Sequence, residues 1–494
     1  MTEWSCALTT STTRVRTAPL RVASVAILLL ILGFTLVRLD GPPPGPLAAE
    51  AKATLTSLLA EQVPHPVESA ANHVVRDRIL ARFRALGYAP EIQRADSCGG
   101  RHHRCATVQN ILVLPQTAGD IVLGTAHYDS IATGPGVMDD GAGVATMLVC
   151  ASRLRHERFR NPIGFLITDG EEAGLLGAEA FVRDPRSARV RAVVNVENRG
   201  TSGPSYLFET SRNNRDLVPL FNAVPRPMTS SLFYTAYELM PNDTDVSVFK
   251  RAGKIAVNFA AMGDVENYHH PTDDLSHADM RTLEHHVENA LSMLRALGNA
   301  DLQHMRQGND SYFDVFGFLV VWWPEWLTIS IAIASFAALL ARFRRIVWRD
   351  AIALVVAVVL AGAIGVAAAM ITRHRLAHPA PLVALMWIAG IGCTLLVMRG
   401  RSWEARSLVW QVLAIVCALV LPGVAFLFLV PAVAMHARWI AAPVAAIVFF
   451  PICLILYTAL AVLSLPLIAA LMALFASTLD VGVRSLISSF FFRV

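Results

Sequence analysis

The chain has 494 residues, of which 54% are hydrophobic and only 16% are charged, and its mean hydropathy is +0.48. Soluble domains carry roughly 25% charged residues, so the composition argues against an ordinary cytosolic enzyme. Residues 313–494 contain 12 arginines and five acidic residues, whereas the remainder of the chain is slightly acidic. The net charge of +4 therefore comes from an apolar, basic part typical of a membrane domain, and it indicates no nucleic-acid partner.

The first apolar segment lies close to the amino terminus. Leu20–Leu39 has the length of about 20 residues that a bilayer requires, and it follows Arg14 and Arg16. A cleaved signal peptide has a shorter apolar core with small residues directly after it, whereas Gly41–Pro44 follows here. We therefore predict a cytoplasmic segment at 1–19, a transmembrane anchor at 20–39 and a proline-rich spacer at 40–46.

The carboxyl-terminal part is predicted to cross the membrane about six more times. With the amino end inside, seven arginines of the connecting loops fall in the cytoplasm and three outside, in agreement with the positive-inside rule. We therefore expect a multi-pass protein whose hydrophilic segment lies outside the cytoplasm, either in a bacterial periplasm or in the lumen of the endoplasmic reticulum or vacuole. The lipid bilayer is an expected partner, and the membrane domain could also support a homo-oligomer. The apolar runs lie near 317–341, 351–371, 381–398, 408–434, 439–457 and 459–478.

The hydrophilic segment has the pattern of an α/β domain, in which short β-rich runs alternate with segments of helix length. The expected fold is a mostly parallel mixed sheet covered by helices on both faces, together with the anchor and an all-α membrane domain. We place this domain at 47–300, a linker at 301–316 and the membrane domain at 317–494. The predicted strands lie at 107–114, 121–126, 164–168, 192–196, 206–209 and 255–259, and the predicted helices at 67–88, 141–155, 213–223 and 277–297.

Cys98 and Cys105 enclose six residues in a segment predicted to lie where disulfides persist. We predict a local disulfide between them. His102 and His103 then belong to a cross-linked surface loop rather than to a metal site.

Acidic residues and histidines follow the predicted strands at five strand ends. In open α/β sheets ligands bind outside the carboxyl ends of the strands. Singly, each residue has a structural explanation, since an aspartate can cap a helix and a glutamate can favour its first turn. Five strand ends that deliver such groups to one sheet edge instead predict a metal site, and histidines with carboxylates suit zinc. The residues are His127, Asp129, Asp139, Asp140, Asp169, Glu171, Glu172, Glu197, His269, His270 and Asp273.

In this order the residues resemble the signature of metallopeptidase family 28, which includes co-catalytic zinc aminopeptidases and glutaminyl cyclases. The layout of one such domain with a multi-span tail is similar to the membrane-anchored members of the endoplasmic reticulum and vacuole. The resemblance implies two zinc ions bridged by Asp139, and a cis peptide after Asp139. The matching motifs are His127-x-Asp129, Gly136-x-x-Asp139-Asp140-Gly-x-Gly143, Asp169-Gly-Glu171-Glu172-x-Gly174-x-x-Gly177, Asn195-x-Glu197 and Tyr268-His269-x-Pro271-x-Asp273.

The resemblance also implies a role for each matching residue. His127 and Glu197 would complete one zinc site, and Glu172 and His269 the other. Glu171 would be the general base, and Tyr268 would donate a hydrogen bond to the oxyanion.

Three further acids would support these groups without binding metal: Asp129, by accepting the second ring proton of His127, together with Asp140 and Asp273. The sequence departs from the family at two positions. Glu197 stands where most secreted members have aspartate, and His270 stands where threonine is commoner, so His269 is the expected ligand from its register with the rest of the motif.

The predicted function is a membrane-anchored dizinc peptidase that hydrolyses peptide substrates, most simply as an aminopeptidase. One alternative is a glutaminyl cyclase-like acyl transfer at a single zinc, which the presence of both His127 and Glu197 disfavours. The other is a non-catalytic ligand-binding domain on a transporter or receptor. The scarcity of ionisable residues inside the predicted spans disfavours it.

Overall fold

The computed structural model describes residues 44–330, except 101–102, 232–233, 235–236, 239–242, 316 and 328–329. The predicted anchor at 20–39 and almost all of the predicted membrane domain lie outside these residues. Within the described part of the chain, no helix combines the length and the apolar character needed to span a bilayer.

A seven-stranded mixed sheet forms the centre of the domain, in the order β1-β2-β4-β3-β5-β7-β6. The four strands β4, β3, β5 and β7 are mutually parallel, and the outer strands β2 and β6 run antiparallel to them. The mostly parallel sheet expected from the sequence is therefore present. The strands are β1 Glu91–Gly99, β2 Arg104–Val113, β3 Ile121–His127, β4 Ile163–Thr168, β5 Val190–Asn198, β6 Tyr206–Thr210 and β7 Ile255–Ala261.

Helices cover the sheet on both faces because successive strand residues point to opposite sides. On β4, Phe165 packs into the larger core with Phe83 and Tyr88, whereas the next residue, Leu166, packs into the smaller core with Phe181. Every residue of β3 is buried, as expected for a central strand covered twice. The helices are α1 Pro46–Leu58, α2 Ala70–Ala85, α3 Gly143–Leu154 and α6 Met280–Asn299 against the larger core, and α4 Leu176–Arg183 and α5 Asp245–Arg251 against the smaller one.

The structure corrects two sequence predictions. The helix predicted at 213–223 is a short 3-10 helix, Val218–Ala223, because Pro219 lacks the amide that a longer α-helix would need there. A second sheet, the hairpin of β8 Asp310–Val315 and β9 Leu319–Pro324, occupies the end of the predicted linker and the first residues of the run at 317–341. The boundary predicted at 317 thus falls inside a β-hairpin.

Cys98 and Cys105 form the predicted disulfide. They lie directly opposite each other in the β1–β2 register, so the bond closes the end of this edge hairpin. His103 in the same loop is exposed.

Candidate metal centre

The strand ends of the parallel sheet bring the predicted site residues to one edge. His127 is the last residue of β3, and Glu197 is the penultimate residue of β5. Glu172 lies in the loop after β4, and His269 in the loop after β7. Asp139 lies in an irregular turn, Val137–Ala142, immediately before α3.

Five side chains form two groups that share one carboxylate. In the first group, His127 Nε2 lies 3.5 Å from Asp139 Oδ1 and 3.5 Å from Glu197 Oε1. In the second group, His269 Nε2 lies 3.2 Å from Asp139 Oδ2 and 3.0 Å from Glu172 Oε1. In each group the ligand atoms lie within 4.8 Å of one another, which is the spacing expected of donors around a common cation.

The donor atoms of these groups suit a pair of cations because the protein itself does not satisfy them. The buried atoms His127 Nε2, Asp139 Oδ2, Glu172 Oε1 and Glu197 Oε2 have no hydrogen-bond partner. Buried polar atoms are normally paired, and an ion is one of the few explanations for a cluster of exceptions. Imidazole nitrogen with carboxylate oxygen is a ligand set that zinc accepts.

The turn that carries Asp139 is held in place by two other elements. The peptide between Asp139 and Asp140 is cis, as the resemblance implied. Both oxygens of the Asp273 carboxylate accept backbone hydrogen bonds, from Met138 at 2.7 Å and from Asp139 at 3.1 Å. On the other side, Asn198 Nδ2 donates to the Met138 carbonyl at 2.9 Å.

The contacts of Asp129 differ from those expected. The Nδ1 atom of His127 hydrogen-bonds the backbone carbonyl of Asp129 at 3.0 Å, whereas the Asp129 carboxylate is 3.5 Å away. That carboxylate instead accepts the backbone amides of Glu171 at 3.0 Å and Glu172 at 3.2 Å. Asp129 therefore positions both the imidazole of the first group and the glutamate pair of the β4 loop.

Besides Asp129, Glu171 and Asp273, three more strand-end residues lie outside both groups. Asp140 accepts the amides of His127 at 3.2 Å and Gly143 at 3.0 Å, so it joins β3 to the start of α3. Asp169 accepts from Asn72 and from the Gln109 amide and has a structural role. His270 is exposed, and its Nδ1 atom lies 2.8 Å from Thr272 Oγ1.

Crowded charge is the dominant electrostatic feature of the cluster. Burial, reinforced by the charge of Asp139, raises the pKa of Glu172 to about 7. Burial lowers the pKa of His127, but the carboxylates of Asp129, Asp139 and Glu197 outweigh it and raise that pKa well above its ordinary value. The raised pKa values of Glu172 and His127 thus both follow from buried carboxylates that lie close together.

Glu171 and Tyr268 stand beside the two groups rather than within them. Burial, and then the charge of Glu197, raise the pKa of Glu171 well above its ordinary range. The ring of Tyr268 stacks on His269 with the centroids 3.8 Å apart. Both side chains thus face the cluster without belonging to either set of ligand atoms.

Arg199 is a site residue that the sequence analysis missed. Its guanidinium donates a hydrogen bond to the Tyr268 hydroxyl and lies 5.1 Å from the centre of that ring. Its second nitrogen reaches only the Asp243 carbonyl, at 3.4 Å. Its position two residues after Glu197 is the feature of the sequence that could have identified it, since a residue just past the end of a strand lies at the same edge of the sheet.

A small cleft opens beside the second group. It exposes one edge of the cluster to solvent. It is lined by Ile131, Gly134, Asp139, Glu172, His269 and His270.

Known proteins share this domain. Residues 110–294 match the family model described as peptidase family M28. The part of the chain that carries the two ligand groups therefore resembles peptidase family M28. The match extends from β2 to α6 and includes every residue of the two groups.

Relatives of the M28 domain include membrane proteases. A vacuolar membrane protease of Eremothecium gossypii is 28% identical over 300 residues, which cover 55% of this chain and 29% of that protein. Endoplasmic reticulum metallopeptidase 1 of Rattus norvegicus is 27% identical over 244 residues, or 47% of this chain and 27% of that protein. The chain thus matches less than a third of the length of either relative.

Similar solved structures are of two kinds. A glutaminyl cyclase of Porphyromonas gingivalis has a TM-score of 0.41 and 19% identity, covering 51% of this chain and 97% of that structure. A zinc aminopeptidase of Bacillus subtilis has a TM-score of 0.41 and 16% identity, covering 52% of this chain and 96% of that structure.

Proposed function

We propose that this M28 domain is a dizinc peptidase that removes single residues from the amino end of peptides. The observation that carries the proposal is the pair of ligand groups that share Asp139. His127 and Glu197 would hold one ion, Glu172 and His269 the other, and Asp139 would contact both. When bound, two zinc ions supply Lewis acidity toward a carbonyl group and lower the pKa of water.

Glu171 is the proposed general base. Its neighbour Glu172 belongs to a ligand group, while Glu171 itself does not, so its carboxylate is available for proton transfer. The Asp129 carboxylate holds both backbone amides and thereby fixes how the two glutamates diverge. Glu171 would accept a proton from the attacking water and then deliver it to the leaving amine.

Tyr268 is the proposed donor to the oxyanion that develops on the substrate carbonyl. Arg199 has only donors, so the Tyr268 oxygen must accept the hydrogen bond between them. The hydroxyl proton is then directed away from the guanidinium and remains available to the substrate. Arg199 is accordingly a positioning residue in this proposal.

Cleavage from the amino end is the proposed polarity, and the cleft beside the second ligand group is where the end of the peptide would lie. Membrane attachment outside the cytoplasm is part of the same proposal, supported by the apolar segments of the sequence and by the names of the relatives.

Metal content and blocked peptides test this function. The purified full chain should bind about two zinc ions and release the first residue of a free peptide but not of an amino-acetylated one. Blocking the carboxyl end should leave cleavage intact. If only the carboxyl block stops cleavage, the enzyme removes residues from the carboxyl end instead. Cyclisation of an amino-terminal glutamine without hydrolysis would contradict the peptidase proposal.

Glu171→Gln tests the base. The variant should retain two zinc ions and lose activity by about 10²–10⁴-fold, the usual contribution of general acid–base catalysis. Glu179→Gln, a glutamate of α4 that pairs with Arg251, is the matched control and should leave the rate unchanged. Full turnover by Glu171→Gln would remove the assigned role.

A further inference from the structure

Exposed apolar side chains are concentrated at one place in the domain. Of the seven large hydrophobic residues that the described part of the chain exposes, four lie between 318 and 326. Trp322 is 41% exposed and Trp326 is 61% exposed. Contiguous exposed apolar groups mark interaction surfaces. We call Leu319, Trp322 and Trp326 the hairpin patch.

The hairpin patch has a defined orientation because the same hairpin is anchored in the core. Tyr312 and Val320 are buried, and the Tyr312 ring lies 5.4 Å from Phe221. The Val320 amide donates to Asn222 Oδ1 at 2.7 Å, and its carbonyl accepts from Asn222 Nδ2 at 3.0 Å. The hairpin is thus fastened to the 3-10 helix Val218–Ala223, while Trp322 in β9 and Trp326 just after it remain exposed.

The beginning of the described domain and the hairpin are both linked to the first turns of α6. The Ala48 amide donates to Glu284 there. The hairpin is linked through the 3-10 helix Val218–Ala223, because Arg226, just after that helix, pairs with Glu288 and its carbonyl contacts His285 Nε2 at 2.9 Å.

The residues that follow the hairpin patch are those of an apolar run. Residues 327–341 contain no charged side chain. Tryptophan prefers the boundary between water and hydrocarbon, where the ring is buried and its N–H remains hydrated. A pair of exposed tryptophans immediately before such a run is the pattern expected where a chain enters a bilayer.

We infer that the hairpin patch inserts into the headgroup region of the membrane that the proposed tail enters. The patch would fix the orientation of the peptidase domain on the bilayer, in addition to the tethers at its two ends. This inference rests on the proposed membrane attachment.

Site-specific probes in the full chain test the inference. In a background with Cys6, Cys393, Cys417 and Cys453 replaced by serine, an environment-sensitive fluorophore is placed at Trp322→Cys or Trp326→Cys. Ile92→Cys on the opposite edge strand is the matched control, because Ile92 is 43% exposed. The protein is reconstituted in phosphatidylcholine nanodiscs, and quenching by nitroxide lipid and by aqueous iodide is compared.

We expect nitroxide lipid to quench the probes at 322 and 326 at least about twofold more than the probe at 92, and iodide to show the reverse order, because an interfacial residue lies a few ångströms into the bilayer. Equal quenching by iodide at all three positions would overturn the inference. So would protection from iodide without quenching by lipid, which would indicate a contact between copies of the chain. If the chain does not enter nanodiscs at all, membrane attachment itself fails, and the two failures are thus distinguishable.

Discussion

Arg199 and Tyr268 illustrate how a single contact can determine the direction of a proton. The guanidinium can only donate, so the phenol oxygen accepts and the hydroxyl hydrogen must point elsewhere. The charge of Arg199 also lies next to Glu197. Burial lowers the pKa of Arg199, but Tyr268 and Glu197 outweigh it and raise that pKa well above its ordinary value. Burial raises the pKa of Tyr268 well above its ordinary value, which keeps the hydroxyl protonated as a donor should be.

A double-mutant cycle measures this coupling. Tyr268→Phe should lower kcat by about 10²–10³-fold, the usual loss for one oxyanion donor. Arg199→Gln should lower kcat by about tenfold with little change in KM, and should have almost no further effect in the Tyr268→Phe background. Arg306→Gln, which removes an exposed arginine paired with Asp216, is the control and should change neither constant. Additive losses would show that Arg199 acts independently of the hydroxyl.

Two loops that are distant in sequence form one structural element at the site. The loop after β7 holds the turn before α3 through Asp273, whose carboxylate accepts two consecutive amides, while its own backbone carbonyl accepts from Val137 at 3.1 Å. His269 and Asp139, two of the three residues of the second ligand group, belong to these loops. The relative position of the ligands therefore depends on a residue that contacts neither ligand atom.

Asp273→Asn tests the connection between the loops. The amide of asparagine can accept only one of the two backbone hydrogen bonds and presents a donor to the other, so zinc affinity should fall by about 10–100-fold. Asp274→Asn is the adjacent control, because this exposed side chain bonds only to Ser276 and His277. Competition titration with a fluorescent chelator measures both affinities. Equal affinities would mean that the loop position does not depend on the carboxylate.

At the scale of the whole molecule, the proposed ions would connect two strands, two loops and the turn before α3. The unfolded chain does not assemble such a site, so bound metal adds to the free energy of unfolding. The ligand groups are where the described fold is least satisfied, since three of their buried carboxylate oxygens and His127 Nε2 lack hydrogen-bond partners. The metal should therefore determine a substantial share of the stability of the domain.

Removal of zinc should lower the melting temperature of the domain. Free zinc at 100 times the dissociation constant adds about 2.7 kcal/mol, and for a domain of this size each kcal/mol corresponds to about 2–4 °C. Calorimetry of the full chain before and after chelation measures the change. The variant Glu172→Gln/His269→Ala, which retains the first group, should lose part of the difference. An unchanged melting temperature after complete removal of zinc would contradict the prediction.

Much of this protein is determined by local sequence patterns. The six predicted strands are all present. Buried central strands such as β3 are continuous apolar runs, and turn residues mark where each run ends, so the sequence pattern is enough to locate them. The polar edge strand β1 was not predicted, since one of its faces is in water and its apolar residues are few. The prediction of a helix at 213–223 was wrong for a local reason. It was based on apolar spacing, which takes no account of Pro219.

The sequence by itself determined which chemical groups stand at the strand ends and in what order, because strand ends and motif spacing are local properties. Only the tertiary structure decided that Asp139 lies between His127 and His269, residues 142 positions apart, at distances of 3.5 and 3.2 Å. It likewise decided that the Asp129 carbonyl rather than its carboxylate contacts His127, and that Arg199 contacts Tyr268. These contacts depend on the register between parallel strands and on the path of loops, which the packing of the two cores sets and no short segment encodes.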